Sequence, residues 1–218
     1  MSRLRKIEIP DKLWSKFVLN WEKEFDHIFW GKINKFANNR SLIIECCCGK
    51  GEFLVEKARS SPSQKFIGID YDSDVLTRAV KLTNQNNCKN IIYLYNDIRK
   101  IFKNFYFPLK SKLDKIYINF PDPWPKKRHW KRRVIQTVLL KDIHKVMNKN
   151  TALHIVTDHD EYVQWIKNHL SELKNLFRPV YNNWYTTKID NLEKTTYMEK
   201  AVKKGNTIYQ FIVKKSLT

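Results

Sequence analysis

Apolar positions along this chain change their period near residue 40. Before it, Trp14, Phe17, Val18, Trp21, Phe25, Ile28 and Phe29 recur at spacings of three and four, the mark of one helix face over 11–29. Asp11 stands where an N-cap belongs. From residue 41, short apolar runs alternate with helical patterns. Leu42 to Ile44, Lys65 to Asp70, Ile91 to Leu94, Lys115 to Ile118, Ala152 to Val156 and Ile208 to Val213 read as strands. Between them, Phe53, Leu54 and Ala58 fit the inward face of one helix, and Val75, Leu76, Ala79 and Val80 that of the next. Val134, Ile135, Val138, Leu139, Ile143 and Val146 predict a long helix over 132–147, and a further one spans 162–173. Such alternation implies an α/β fold, a parallel sheet covered by helices on both faces. The polar segment 182–206 reads as a loop near the site. The division expected is an N-terminal helical extension over 1–40 and a main domain over 41–218.

Composition adds a partner to this picture. The 218 residues carry 41 Lys plus Arg against 22 Asp plus Glu, a formal charge of +19. Self-repulsion of that size opposes compaction and suits a protein that meets a polyanion. Abundant lysine also follows from genome composition, so the clustering of cations at 126–133 is the stronger clue. No apolar run approaches the roughly 20 residues of a membrane span. The N-terminus, with Arg3, Arg5, Lys6, Glu8 and Asp11, has no apolar signal region, which predicts a cytoplasmic protein with no membrane partner. Cys46, Cys47, Cys48 and Cys88 lack zinc-ligand spacing, and no histidine pair supplies it, so no metal is expected. Their expected role is that of small buried hydrophobes.

The candidate chemistry begins at Asn119-Phe120-Pro121-Asp122-Pro123-Trp124-Pro125, which runs into Lys126, Lys127, Arg128, His129, Trp130, Lys131, Arg132 and Arg133. Prolines restrict their own backbone and push the preceding residues towards extended conformations, so Asp122 and Trp124 should sit on a rigid loop. Six cations follow, able to neutralise several phosphates. A solvated charge run is the plainer alternative.

A second constellation lies earlier. In doubly wound sheets, ligands bind beyond the carboxyl ends of the strands. Glu45, Asp70 and Asp97 fall at three such ends, and Gly49 and Gly51 allow close backbone approach at the first turn. Asp70 is placed to accept hydrogen bonds from ribose hydroxyls. The turn lacks full G-x-G-x-x-G spacing, and Glu45 would oppose a pyrophosphate. An acidic first loop suits the amine and sulfonium of S-adenosylmethionine; plain helix capping is the other reading of these acids.

With Glu45-Cys46-Cys47-Cys48-Gly49-Lys50-Gly51, Gly68-Ile69-Asp70, Asp97, the Pro-Asp-Pro-Trp turn, the basic strip, Thr157-Asp158 and Thr195-Thr196-Tyr197 in order, the chain resembles the bacterial tRNA (guanine-N(7)-)-methyltransferase family over roughly residues 40 to 213. The turn and strip are the specific part. The resemblance implies a Rossmann-like class I methyltransferase fold, with a mixed seven-stranded sheet whose last strand is antiparallel. It implies methyl transfer to a guanosine of the tRNA variable loop. By position, Glu45, Gly49, Gly51, Asp70, Asp97 and Asp122 would line the S-adenosylmethionine site, with Asp122 also catalytic. Lys126, Asp158, Thr195, Thr196, Tyr197 and Met198 would bind the guanosine. Arg128, His129, Trp130, Lys131, Arg132 and Arg133 would contact tRNA. A monomer or homodimer without an obligate protein partner is expected. Two departures stand out: Cys47 occupies a position usually glycine, and Met198 one usually acidic.

The guanine nitrogen attacked in such a reaction carries an in-plane lone pair, so no general base is needed to expose it. Alignment and a carboxylate near the developing positive charge would supply the catalysis. Asp122 and Asp158 are the candidates, because both follow strands that end at one sheet edge. Two rivals remain open: an amino-group methyltransferase acting on adenine or cytosine, and a catalytically silent RNA-binding relative.

Overall fold

The computed structural model describes residues 7–23, 26–105, 107–189 and 195–216. Arg3, Arg5, Lys6 and Phe25 of the sequence argument lie outside them. The chain divides after Ile98 into two compact units.

In the first unit, α1 (Asp11–Phe17) leads into β1 (Val18–Leu19), and α2 (Asp26–Ala37) follows. Then β2 (Leu42–Cys46), α3 (Glu52–Ser60), β3 (Lys65–Asp70), α4 (Ser73–Gln85) and β4 (Ile91–Tyr95) alternate. The strands lie in the order β1-β4-β3-β2, and the paired ones run parallel. All five residues of β2 are buried, as expected of a strand covered on both faces. At α4, Asp72 caps the helix by accepting from the backbone N–H groups of Asp74 and Val75.

The helix expected over 11–29 is broken. Val18 and Leu19 pair with Tyr93 and Leu94 of β4, because an unpaired sheet edge recruits apolar β-branched backbone more strongly than the helical period holds it. Pro10, not Asp11, holds the N-cap position of α1 and makes no side-chain cap. Of the apolar stripe, Phe17, Val18 and Phe29 are buried, with Phe29 stacked on Trp21, while Ile28 is 42% exposed.

After α5 (Ile98–Lys103), whose first residue ends the first unit, the second unit carries β5 (Leu113–Asn119), a 3-10 helix over Lys127–Arg132, α6 (Thr137–Val146), β6 (Ala152–Thr157) and α7 (Asp160–Glu172). It continues through β7 (Phe177–Pro179), β8 (Tyr185–Thr186), α8 (Thr196–Lys203) and β9 (Tyr209–Lys215). Its strands are ordered β5-β6-β9-β7, with β8 also on β9. β5 and β6 are parallel, while β9 is antiparallel to β6, β7 and β8. Of the nine strands among the described residues, β1 and β8 are two-residue additions to the seven expected.

Two further expectations change here. The helix predicted over 132–147 starts at Thr137, since residues to Arg132 form a 3-10 helix and Gln136 takes an extended N-cap conformation. Leu139, Leu140, Ile143 and Val146 then define the buried face, and Val138, one step away, is 71% exposed. The segment 182–206 is not a plain loop: it holds β8 and α8.

Candidate active site

In the first unit, parallel register places the acidic residues at one edge of the sheet. Cys46 of β2 pairs with Ile69 of β3, and Asp70 pairs with Tyr95 of β4. Glu45 is buried on β2, Asp70 closes β3, and Asp97 is half-buried two residues beyond β4. The backbone N–H of Asp97 donates to the side-chain oxygen of Asn96 at 2.7 Å.

The turn after β2 is shaped by backbone conformation. Cys47, Gly49 and Gly51 all have positive φ, at 57°, 55° and 74°. A left-handed residue other than glycine costs about 1–2 kcal/mol, so Cys47 keeps a glycine-like shape at the expense of strain. The departure from the family pattern therefore preserves the loop's course. Gly51 has no alternative: a Cβ there would lie 2.6 Å from the Tyr93 hydroxyl and 3.0 Å from Ala79 Cβ. At Gly49 a Cβ would meet nothing within 4 Å.

Asp70 ties this turn to β3. Its Oδ2 accepts from the backbone N–H of Gly49 at 3.0 Å and its Oδ1 from that of Asp72 at 3.1 Å. Burial pushes its pKa up, opposed by those N–H groups. A carboxylate has about four acceptor sites, so these N–H groups, with that of Tyr71, leave room for a ligand hydroxyl. Beneath the turn, Cys46 and Cys48 are buried thiols whose pKa burial raises well above the ordinary value, so they behave as apolar filler. Cys88 is buried as well, Cys47 is half-buried, and none of the four is in a disulfide. An open space over Gly49, a buried carboxylate at Glu45 and a strand-end carboxylate at Asp70 fit S-adenosylmethionine: a backbone cradle, an anion for its cationic groups and an acceptor for its ribose.

In the second unit, β5 and β6 run parallel with Asn119 opposite Val156, and Phe120 N–H donates to Val156 O at 2.8 Å. Asp122 and Asp158 thus emerge at the same edge. Asp122 is exposed. Asp158 is half-buried, and its Oδ2 accepts from the Asn206 side chain at 2.8 Å. Sequence reasoning missed Asn206, since nothing local links it to a residue 48 positions earlier. Asp160, which follows, accepts from the Tyr209 hydroxyl at 2.7 Å.

The proline-rich loop is not extended throughout. Phe120 and Trp124 precede prolines yet have φ of 47° and 41°, against the usual pre-proline preference. Phe120 packs against Val156, Ala201 and Ile208, and the basic strip holds Trp124. The strip is a 3-10 helix, whose three-residue period divides its side chains among three faces. His129 and Arg132 share one face and pack on Trp124, with ring centroids 5.6 Å apart and the guanidinium carbon 5.0 Å from the ring. Arg128 and Lys131 share another and are exposed, as are Lys126 and Lys127. Loss of hydration and the cations Arg132, Arg128 and Lys126 lower the His129 pKa, and His129 Nε2 accepts from Arg128 Nε at 3.3 Å.

Trp130 and, just past the helix end, its C-cap Arg133 turn inward, although a tRNA contact is expected of both. Arg133 is 1% exposed and its Nε donates to Pro123 O at 2.7 Å. Held that way, the side chain faces the loop rather than solvent. Trp130 is half-buried, edge-on to Trp165 at 5.4 Å, and turned inward with it.

The guanosine-binding expectation also divides. Thr195 accepts from Met198 N–H at 3.1 Å and caps α8. Thr196 is half-buried and Tyr197 is 62% exposed. Met198 packs against the cluster of Val156, Ala201 and Ile208, so the side chain replacing the family's acid serves the core rather than a polar ligand. Glu199, its neighbour, is exposed. Among the described residues no cluster of three or more potential metal ligands occurs, and no helix is long and apolar enough to cross a membrane.

Comparison with known proteins bears on this geometry. The family model described as "Putative methyltransferase" matches residues 39–211. The tRNA (guanine-N(7)-)-methyltransferase of Clostridioides difficile is 32% identical over 222 residues, covering 99% of each chain. Among solved structures, the 16S rRNA methyltransferase KamB aligns with a TM-score of 0.61 at 13% identity, over 89% of this chain and 96% of that one. SMU.1697c from Streptococcus mutans, in complex with SAH, aligns at 0.53 and 15% identity, over 86% and 97%. The structural likenesses establish the Rossmann-like methyltransferase fold. The sequence matches go further: this chain belongs to the tRNA (guanine-N(7)-)-methyltransferase family, a family of class I S-adenosylmethionine-dependent enzymes.

Proposed function

We infer that this protein methylates the ring nitrogen N(7) of a guanosine in the variable loop of tRNA, in the cytoplasm. The observation that carries the reading is the second unit's loop, in which the exposed carboxylate of Asp122 is fused to exposed cations at Lys126, Lys127, Arg128, Lys131 and Arg132. A carboxylate favours the positive charge that grows on a purine accepting a methyl group, and the cations fit a phosphate backbone.

S-adenosylmethionine, when bound, supplies the electrophilic methyl group. Glu45 would face its cationic groups, Asp70 would accept from its ribose hydroxyls, and the Gly49–Gly51 turn would receive it against backbone. Asp97, at the same edge, is a further acceptor. Asp122 would hold the guanine N–H groups, and resemblance assigns it a cofactor contact too. Asp158, braced by Asn206, would be a second guanine contact beside Lys126, Thr196 and Tyr197. No proton has to leave the nucleophile before attack, so His129 serves the nucleic acid rather than proton transfer. The glycine-like course of the Cys47 turn supports a working cofactor loop over a silent relative.

The test is incubation with unmodified tRNA and labelled S-adenosylmethionine, followed by nucleoside analysis. Label in 7-methylguanosine is the expected outcome. Label in N-methylated adenosine or cytidine would transfer the assignment to an amino-group methyltransferase, and no label with normal cofactor binding would end it.

A further inference from the structure

Arg133 closes a run of basic residues yet is 1% exposed. Three aromatic rings surround it, with its guanidinium carbon 4.6 Å from the ring centroid of Trp130, 4.8 Å from Trp165 and 5.2 Å from Tyr162. Its ion-pair partner is Glu161, 3.7 Å away and 47% exposed. As a stabilising device this arrangement is poor. Taking a cation out of water offsets most of what one distant, half-exposed acid returns, and apolar residues filling the same space are often as stable.

What arginine adds over an apolar residue is a rigid, planar fork of donors whose faces stack on aromatic rings. That fork is aimed at two consecutive carbonyls. Nε donates to Pro123 O at 2.7 Å, and a terminal nitrogen reaches Trp124 O at 3.5 Å. These are the two residues directly after Asp122. They also lie in the strained part of the loop, where Phe120 and Trp124 have positive φ on either side of Pro121-Asp122-Pro123. Backbone strain of this kind persists only where surrounding structure over-determines it. Prolines supply no N–H for a loop ladder, so an external donor is the remaining way to pin such a segment.

We propose that Arg133 is a positioning residue for methyl transfer: its caged guanidinium fixes the Pro123 and Trp124 carbonyls and thereby the placement of the Asp122 carboxylate. The proposal rests on the reading of Asp122 as the group that orients the guanine.

Arg133→Lys keeps the charge and much of the stem but loses the fork. The single-turnover rate at saturating cofactor and tRNA should fall about tenfold to a hundredfold, the scale of a misplaced catalytic group. The KM for tRNA should stay within about threefold and the salt slope of tRNA binding should not change, because no phosphate contact is removed. Adding Arg133→Lys to Asp122→Ala should slow the reaction no further, since one residue acts through the other. A wild-type rate in Arg133→Lys would reduce the residue to packing. In Arg133→Met, which removes the charge, a salt slope lower by about 0.7–0.9 at unchanged rate would make it a phosphate ligand. Additive losses in the double variant would show that it acts elsewhere. If Asp122→Ala alone keeps the full rate, the reading of Asp122 fails. If Asp122→Ala is slow and Arg133→Lys is not, only the present proposal fails. Should Arg133→Lys not fold, as judged by thermal unfolding, Trp165→Phe thins the cage while leaving the guanidinium. It should show the same pattern to a smaller degree, and a wild-type rate there would overturn the proposal.

Discussion

The backbone N–H of Gly49 donates to Oδ2 of Asp70 at 3.0 Å, so the carboxylate that ends β3 also anchors the turn that follows β2. Removing it should both loosen the turn and leave ribose hydroxyls without an acceptor. Asp70→Ala is expected to weaken S-adenosylmethionine binding by about 1.5–3 kcal/mol, the range for hydrogen bonds to a charged group. Glu45→Ala should weaken it as well. Titration calorimetry measures both, and wild-type affinity in the two variants would put the cofactor elsewhere. Because burial raises the Asp70 pKa, wild-type affinity should decline on acidification at a higher pH than an ordinary aspartate would give. The sign follows from the hydroxyl donors, which favour the ionised carboxylate.

Asp122→Ala should lower the single-turnover rate at least about a hundredfold at saturating cofactor, on the scale of one preorganised electrostatic group. Asp122→Asn keeps the shape and one acceptor without the charge and should fall between. Affinity for tRNA should hold, since phosphate contacts dominate it. A saturated alanine rate near wild type would leave Asp122 a turn residue and make Asp158 the leading candidate.

Replacing Arg128, Lys131 and Arg132 with alanine should flatten the log–log salt dependence of tRNA binding by about two to three units. Cofactor affinity should barely move. With Arg133 buried, the strip offers five exposed cations rather than six, which caps their share of the slope at about 3.5–4.5 units. An unchanged slope in the triple variant would place the tRNA surface elsewhere.

His129 adds a pH dependence. Its pKa in the free protein is held down by loss of hydration and by Arg132, Arg128 and Lys126. A neighbouring phosphate opposes those cations and raises it, so tRNA binding takes up a proton. Affinity should therefore strengthen as pH falls through and below about 6.5, the ordinary histidine value. His129→Asn should flatten that rise; an unaltered pH profile would separate His129 from the phosphates.

Cys47→Gly should stabilise the protein. Relief of the left-handed strain, about 1–2 kcal/mol, exceeds the entropic cost of glycine, about 0.5–1 kcal/mol. The net gain corresponds to a Tm increase of about 2–4 °C per kcal/mol for a chain of this size. A lower Tm would show that the thiol's packing outweighs the strain.

The sequence by itself determined the elements whose signals are local. The strand Lys65–Asp70 was legible end to end, because an apolar run is bounded by charges at both ends. The acids at the strand ends, the glycine turn and the proline loop with its basic strip were equally plain, since each is a contiguous pattern. What tertiary structure decided were the outcomes of long-range competition. Val18 left its helical stripe and, with Leu19, pairs with the edge of β4, because pairing satisfies backbone groups that a period cannot see. Met198 turned to Val156 and Ala201, and Asn206 came to Asp158 from 48 residues away. Arg133 looked like one more phosphate ligand, yet the neighbouring Trp130 and the distant rings of Tyr162 and Trp165 close around it. Charge is written in the sequence, but burial depends on which remote side chains close over it.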